Sequence, residues 1–247
     1  MMTKIKNSGL RRKIIPFGII IFILLSGTAF KNPERSIYDF FNDNETVVEE
    51  KQIMKILSEF ERVSFSQLPE DYKKKTGMNS YPFNQMLAGK IFYKLNKSQA
   101  MKKIIGHYRI IDFLSKEDGS WKPYFLENKE IYWLVDPQAL AAFLRLKKEM
   151  KKLGLNWNKL KITSAHRTPD RNKKVGGASQ SRHIFGEAID FQVGDVDGNR
   201  FTNEEDKKKV LELCEKIIGR RGGIGLYPET QALHIDTRGY RARWNSY

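Results

Sequence analysis

Two histidines and one aspartate in the second half of the chain have the side chains that a zinc site requires. His183 and Asp190 are seven positions apart with Gly186 between them, and His234 follows much later, just before Asp236. Imidazole nitrogens and a carboxylate oxygen are ligands that suit Zn²⁺. Three protein ligands leave the fourth position of a tetrahedral zinc ion open for water, as in a catalytic zinc site. The spacing therefore predicts a zinc site that performs hydrolysis.

The composition limits the other kinds of site that the chain can contain. Its 247 residues include only four histidines and one cysteine, so an internal disulfide and a Cys-rich metal site are excluded. Cys214 lies in an apparently amphipathic helix, which favours a buried structural thiol over a reactive one.

A turn and two neighbouring strands would bring the three ligands together. Glycine at position 186 permits a positive φ or a close backbone approach, so a turn there could aim His183 and Asp190 at one point. Residues 187–193 read as a strand, and residues 224–227 and 232–236 read as a final strand pair. His234 would then come from a strand next to the one that carries Asp190.

The surrounding pattern predicts a mixed α+β domain with a small antiparallel sheet flanked by helices. Asp136 and Pro137 have the residue types of a helix N-cap and first helical position, and residues 160–164 alternate as a short strand. Thr202 and Glu205 form a capping-box pattern that opens a second long helix.

Several segments taken together resemble one known family. They are Ser164-Ala165-His166-Arg167-Thr168-Pro169, residues 175–179, residues 181–190, Gly225-Leu226-Tyr227-Pro228, His234-Ile235-Asp236 and residues 237–244. This combination resembles the D-alanyl-D-alanine carboxypeptidase and dipeptidase group of zinc peptidases, which includes the hedgehog signalling domains. The resemblance covers residues 131–247 and does not extend to residues 31–130.

The resemblance implies roles for individual residues. His183, Asp190 and His234 match the zinc ligands of the family. Arg167 matches the family arginine that lies near the substrate carbonyl or carboxylate, where a guanidinium can stabilise a developing oxyanion or bind a terminal carboxylate. Zinc would lower the pKa of its water to about 7 and polarise the scissile carbonyl.

The general base is the point at which this chain departs from the family. Many members have an acidic residue three positions before the second histidine, but this chain has Gln231, which cannot take a proton from water. Glu229 is the nearest upstream carboxylate and is our preferred candidate. Asp236 is the alternative base, although it also fits a role in orienting a zinc ligand. The departure keeps open a metal-binding domain without catalysis.

The beginning of the chain has the pattern of an export segment. Lys4, Lys6 and residues 11–13 are basic, and residues 14–30 are an uncharged, mostly apolar run. A positive flank before an apolar segment is typical of a signal peptide or a signal anchor. We therefore expect residues 1–30 to be a transmembrane anchor or a cleaved signal in the cytoplasmic membrane, with the rest of the chain outside the cytoplasm.

The sequence thus predicts three parts: an anchor or signal (1–30), a linker with a mostly helical accessory region (31–130) and a zinc peptidase domain (131–247). A formal net charge of +15 suits binding to anionic lipid or to an anionic cell-wall polymer, and no nucleic-acid-binding motif is present.

The leading hypothesis is a D,D-carboxypeptidase or endopeptidase that acts on peptidoglycan peptides in the bacterial envelope. The alternative is an inactive zinc-containing module that binds cell-wall peptides or a protein partner. No cofactor beyond zinc is implied.

Overall fold

The computed structural model describes residues 49–116 and 130–245. Contacts along the chain divide it into residues 1–40 and 41–247, and all of the described residues belong to the second unit. The predicted membrane segment, residues 14–30, lies outside the described residues. Within the described ranges, no helix combines the length and apolar character needed to cross a membrane.

A five-stranded sheet forms the centre of the second half of the chain, with the strand order β10-β8-β9-β7-β6. Its strands are β6 (Leu160–Ser164), β7 (Ala188–Val193), β8 (Gly223–Leu226), β9 (Ala232–Asp236) and β10 (Ala242–Asn245). Strands β6, β7, β9 and β8 pair antiparallel, as predicted. Strand β10 pairs parallel with β8, so the expectation of a purely antiparallel sheet was wrong at this edge.

Two long helices cover one face of this sheet, α5 (Pro137–Lys152) and α7 (Glu204–Ile218), and a short helix, α6 (Pro169–Lys174), follows β6. Helix α5 begins as predicted, because the Asp136 side chain accepts a hydrogen bond from the Gln138 amide and Pro137 occupies the first turn. Helix α7 begins one residue later than predicted, with Asn203 and Asp206 forming the reciprocal caps. Short 3₁₀ helices cover Trp157–Lys159 and Arg182–Phe185.

The region before residue 117 contains both helices and strands. Its helices are α1 (49–58), α2 (Glu70–Lys75), α3 (Phe83–Met86) and α4 (Lys97–Ala100), with 3₁₀ turns at Phe65–Gln67 and Ile110–Phe113. Its strands are β1 (Glu61–Ser64), β2 (Ile91–Leu95), β3 (Lys103–Ile105) and β4 (Tyr108–Arg109). The strands of this region were not predicted, although helical residues outnumber strand residues in its described part. The reason is long-range pairing, since β2 joins β1 to β5 (Ile131–Trp133) in a second sheet.

Two hydrophobic clusters hold these elements together, and both contain residues from either side of residue 131. The larger cluster joins α1 and the 104–114 segment to the helix-covered face of the five-stranded sheet, for example through Phe143 and Phe191, whose ring centroids are 5.5 Å apart. The smaller cluster joins Val63, Phe92 and their neighbours to Leu134 and Ile184. The domain boundary predicted at residue 131 stays a prediction. The described residues before and after this position pack together in the same hydrophobic clusters.

Candidate metal centre

One row of residues crosses the five-stranded sheet and carries most of the site. The strand registers place Ser164, Asp190, His234, Gly225 and Trp244 side by side, in that order from β6 to β10. Side chains alternate along a strand, so this row points away from the helix-covered face. A Cβ on Gly225 would lie 2.6 Å from the Trp244 ring, so glycine gives the indole room to pack against His234.

His183 reaches the row from the 3₁₀ helix Arg182–Phe185, which ends at a glycine. Gly186 has a φ of +69°, and a Cβ there would lie 2.4 Å from the Leu134 carbonyl oxygen. The Gly186 carbonyl accepts a hydrogen bond of 2.9 Å from the Asp136 amide. The turn predicted at this glycine is confirmed, and it directs His183 toward Asp190 on the strand that follows, β7.

The three residues predicted as zinc ligands lie together and are buried. His183 Nε2 lies 3.2 Å from His234 Nδ1 and 3.1 Å from Asp190 Oδ2, and His234 Nδ1 lies 2.7 Å from Asp190 Oδ1. Ligands about 2.0–2.1 Å from a tetrahedral zinc ion would be about 3.3 Å apart. The spacing and the chemistry of these donor atoms therefore fit a zinc ion.

The second nitrogen of each imidazole is already hydrogen-bonded. His183 Nδ1 donates to the Ala165 carbonyl at 2.5 Å, and His234 Nε2 donates to Asp236 Oδ2 at 2.9 Å. Each ring can therefore offer its other nitrogen to a metal ion at the shared point, in the pattern by which metal-binding histidines are normally held.

The electrostatic environment favours an ionised carboxylate at the centre. Burial alone would raise the pKa of Asp190, but the charges and hydrogen bonds of His183 and His234 hold that pKa well below its usual range. Burial lowers the pKa of His183, although the charge and hydrogen bond of Asp190 oppose this. Burial opposes protonation of His234 as well, but its hydrogen bonds to Asp190 and Asp236 outweigh burial and raise its pKa.

Arg167 lies beside this centre and is fixed by two side chains. Its Nε donates to Ser164 Oγ at 2.6 Å and its Nη2 donates to Asp190 Oδ2. The Tyr227 hydroxyl also donates to Asp190 Oδ1, at 3.3 Å. Burial and the Asp190 charge raise the pKa of Tyr227, so its hydroxyl keeps its proton. The sequence predicted the position of Arg167, but it did not predict the contact between Tyr227 and Asp190.

Asp236 is fully buried on the far side of His234. Its carboxylate accepts hydrogen bonds from the His234 ring, from the Gly223 amide at 2.9 Å and from Arg238, whose Nε lies 2.8 Å away. Burial would raise the pKa of Asp236, but the bonds from His234 and Arg238 hold it below its usual range. This geometry fits the alternative role predicted for Asp236, which is to orient a zinc ligand.

Glu229 and Gln231 lie on the loop that joins β8 to β9. Glu229 is exposed and has a positive φ of 59°, and it is not among the described residues that line the cavity at the metal centre. Gln231 Nε2 donates to Glu204 of α7 at 3.2 Å. Gln231 therefore faces the helix side of the sheet, opposite to the point where His183, Asp190 and His234 meet.

An open cavity of about 870 Å³ lies above the centre. Three arginines line it (Arg167, Arg182 and Arg238), and Asp190 is its only carboxylate among the described residues. The loop 175–181 forms one wall of the cavity. This loop is held by local hydrogen bonds, such as those from the Gly177 amide to Asn172 and from the Ser181 amide to Ala178.

Lys207 of α7 supports another part of the rim. This lysine is only 6% exposed, and its Nζ donates to the carbonyls of Tyr227 and Thr230, at 3.1 and 2.5 Å. Both of these loop residues line the cavity. Nothing in the sequence pattern marks Lys207, because it is one of three consecutive lysines at the start of a helix.

The mixed sheet with a His/Asp/His centre on its open face defines a metallopeptidase domain. Residues 125–236 match a family model described as Peptidase M15. This match confirms, for the C-terminal region, the resemblance to zinc peptidases that the sequence motifs predicted.

A curated relative gives a further comparison. The Probable peptidoglycan L,D-endopeptidase MepK of Haemophilus influenzae is 29% identical to this chain over 108 residues. Those residues make up 42% of this chain and 50% of the relative. The chain therefore spans about half the length of the relative that it matches.

Proposed function

We propose that this protein is a zinc-dependent peptidase that hydrolyses peptide bonds in peptidoglycan, as an endopeptidase of the cell envelope. The observation that carries the proposal is the convergence of His183 Nε2, His234 Nδ1 and an Asp190 oxygen at the floor of an open cavity. The Haemophilus influenzae relative is named as a probable L,D-endopeptidase, which supports the endopeptidase type over the carboxypeptidase type. Export of the chain to the envelope is part of the proposal, and the roles of residues 1–30 stay a prediction.

His183, Asp190 and His234 would hold the zinc ion. When bound, zinc would supply a Lewis acid that polarises the scissile carbonyl. It would also lower the pKa of a water molecule, so that this water can lose a proton and attack the carbonyl carbon near neutral pH. The buried positions of the three side chains keep their geometry fixed before substrate arrives.

Arg167 would bind the substrate carbonyl oxygen as negative charge develops on it. Its guanidinium is held in place by Ser164 and Asp190, so little reorganisation is needed during the reaction. The Tyr227 hydroxyl is a second polar group at this position and keeps Asp190 oriented. Asp236 would act as a positioning residue, because it binds the ring nitrogen of His234 that faces away from the centre.

We keep Glu229 as the proposed general base. It lies two residues after Tyr227 and one before Thr230, both of which line the cavity. Its exposed position means that it would have to turn toward the cavity when substrate binds. A Glu229→Gln variant should keep its zinc and lose most turnover, and undiminished turnover would remove Glu229 from the mechanism.

Digestion of purified peptidoglycan tests the function directly. Residues 31–247, loaded with zinc, should release fragments that mass spectrometry can identify, and a chelator should prevent their release. A His183→Ala variant should lose both zinc and activity. Hydrolysis that survives the chelator and this substitution would contradict the proposal.

A binding module without catalysis is the second candidate. The observation in its favour is the lack of a carboxylate other than Asp190 among the described residues that line the cavity, together with Gln231 at the family's acidic position. This candidate requires a folded, zinc-containing protein that binds peptidoglycan peptides and releases no fragments over long incubation.

A further inference from the structure

Asn172 is a polar side chain buried in the short helix α6, and it takes no part in the mechanism proposed above. It is only 2% exposed, although asparagine lies mostly on protein surfaces. Asparagine is also a poor helix former, because its side chain competes with the backbone for hydrogen bonds. A buried asparagine inside a helix of six residues therefore points to a contact outside the helix.

The contact is with the loop 175–181, which forms one wall of the large cavity. Asn172 Nδ2 donates to the Ala178 carbonyl at 2.9 Å, and the Asn172 backbone carbonyl accepts a hydrogen bond of 2.9 Å from the Gly177 amide. The Ala178 carbonyl also accepts a hydrogen bond of 3.0 Å from the Ser181 amide. Ala178 therefore connects α6 to the last residue of the loop.

The Asn172 side chain fits closely under this loop. A Cβ on Gly177 would lie 2.2 Å from Asn172 Oδ1, so glycine at this position lets the loop approach the helix. Oδ1 is buried and has no hydrogen-bond partner among the described residues. The opposite orientation of the amide would place Oδ1 against the Ala178 carbonyl, where two acceptors would repel each other. An unpaired acceptor costs free energy, so what this side chain supplies is the donation to Ala178.

The wall that Asn172 holds presents mainly backbone groups to the cavity. Residues 176–179 are Gly, Gly, Ala and Ser, which have small side chains or none, and residues 178–180 are exposed. Within the described part of the chain, the amides of residues 178–180 make no hydrogen bond. These amides can bind the main chain of a peptide in the cavity, and their positions depend on Ala178.

The metal centre is fixed independently of this contact. His183 follows the loop, but its carbonyl accepts a hydrogen bond of 3.0 Å from the Arg167 amide and its Nδ1 donates to the Ala165 carbonyl. The other two predicted ligands lie on paired strands. A change at Asn172 should therefore alter the wall of the cavity and leave the zinc ligands in place.

We propose that Asn172 is a positioning residue for substrate binding, which holds the Ala178 carbonyl and thereby fixes the backbone of residues 178–180 against the substrate peptide. This inference rests on the proposed peptidase function. Asn172 does not line the cavity, so it acts through the loop and affects the affinity for substrate. A loss that is confined to binding raises KM and leaves kcat unchanged.

Asn172→Leu tests the proposal, because leucine has the same branched shape but cannot donate a hydrogen bond. Leucine also removes the unpaired Oδ1, so the variant should be no less stable than the unchanged protein. We would use the zinc-loaded full chain and a cross-linked muropeptide dimer purified from peptidoglycan. KM should rise roughly 3- to 10-fold, as expected for the loss of one hydrogen bond, and kcat should stay within about twofold.

Zinc affinity and hydrogen exchange separate a positioning role from a general loss of structure. Zinc affinity, measured by competition with a chelator, should be unchanged, whereas the amides of residues 177–181 should exchange faster. Asn158→Leu, at an exposed asparagine, is the matched control and should change neither KM nor exchange. An unchanged KM in Asn172→Leu, or a loss of zinc affinity that parallels the loss of activity, would overturn the proposal.

Asn172→Asp provides a second test if leucine prevents folding. An ionised carboxylate has the same size as the amide but cannot donate to Ala178, so this variant should raise KM in the same way. If the unchanged protein binds the dimer without hydrolysing it, the proposed function fails and binding decides the role of Asn172. The dissociation constant of Asn172→Leu, measured by calorimetry, should then be larger by the same factor, and equal dissociation constants would contradict that role.

Discussion

His183 and His234 present different ring nitrogens to the same point. His183 uses Nε2 because the Ala165 carbonyl takes its Nδ1–H, and His234 uses Nδ1 because Asp236 takes its Nε2–H. The neighbours of each ring thus decide which nitrogen is available. The donor geometry of the centre depends on these outer hydrogen bonds as much as on the three predicted ligands.

Replacing Asp236 tests this dependence. Asp236→Ala should weaken zinc binding roughly 10- to 100-fold, because the His234 ring would lose the partner that fixes its orientation. A competition titration with a chelator would measure the change, and Asp71→Ala, at an exposed position on α2, is the control. Zinc affinity equal to that of the unchanged protein would show that Asp236 does not position His234. Asp236→Asn, which keeps the shape, should give an intermediate result.

At the scale of residues, the sequence predicted which residues form the site better than it predicted which side chains contact one another. The motifs placed His183, Asp190, His234 and Arg167 at one site, and the structure brings these four side chains together. The contact between Tyr227 and Asp190 could not be predicted, since it depends on the path of the β8–β9 loop. Gln231 lies three positions before His234, and side chains along a strand alternate between its two faces. Counting positions from the histidine therefore does not show that the Gln231 side chain points toward Glu204 on the helix side.

At the scale of elements, the turn at Gly186 decides which side of the sheet each residue of β7 occupies. Strand side chains alternate, so a shift of one residue would turn Asp190 toward the helices and Ile189 toward the cavity. Gly186→Ala should destabilise the protein by roughly 1–2 kcal/mol for the left-handed backbone, and by about 1–3 kcal/mol more for the clash with Leu134.

A matched glycine separates these two costs. Gly154 has a φ of +71°, and a Cβ there would meet nothing within 4 Å, so Gly154→Ala should show only the backbone cost. Chemical denaturation of both variants would measure the difference. Equal losses of stability would mean that the Leu134 backbone can move aside.

Helix α7 should influence the cleft through Lys207. Lys207→Met keeps the apolar length of the side chain but removes the two hydrogen bonds to the β8–β9 loop. We expect a loss of about 1.5–3 kcal/mol in stability and faster hydrogen exchange in residues 227–231. Lys208→Met, at the exposed neighbouring lysine, should change stability by less than about 0.5 kcal/mol. Unchanged hydrogen exchange of residues 227–231 in the Lys207→Met variant would show that Lys207 does not hold the β8–β9 loop.

Periodicity and capping predicted the long elements but not their distant partners. Helix α5 and strands β6, β7 and β9 follow local patterns, and their predicted positions are confirmed to within about one residue. The parallel pairing of β10 with β8 joins segments that are separated in sequence. The antiparallel pairing of β2 with β1 and β5 in the second sheet does the same. Local patterns do not specify such pairings, because each strand by itself fits several neighbours.

At the scale of the whole molecule, the accessory region and the metal-binding region share their core. Residues 131–247 expressed alone would expose the surfaces of Tyr132, Leu134, Ile184 and Phe185 that pack against the earlier segment. We expect this fragment to aggregate or to unfold without a cooperative transition, whereas residues 31–247 should unfold cooperatively. Thermal unfolding and zinc binding of both fragments would test this. A short fragment that folds cooperatively and binds zinc would support the predicted domain boundary at residue 131.

The strands carry the metal centre and the loop 175–181 forms a wall of the cavity, and this separation affects how the protein can evolve. The metal centre rests on paired strands, where a substitution disturbs several neighbours at once, whereas the loop 175–181 is held by local hydrogen bonds. Insertions and replacements in that loop would reshape the wall of the cleft while the reaction chemistry stayed intact. Descendants of this chain could therefore acquire new substrates by altering seven residues, without rebuilding the centre that performs the reaction.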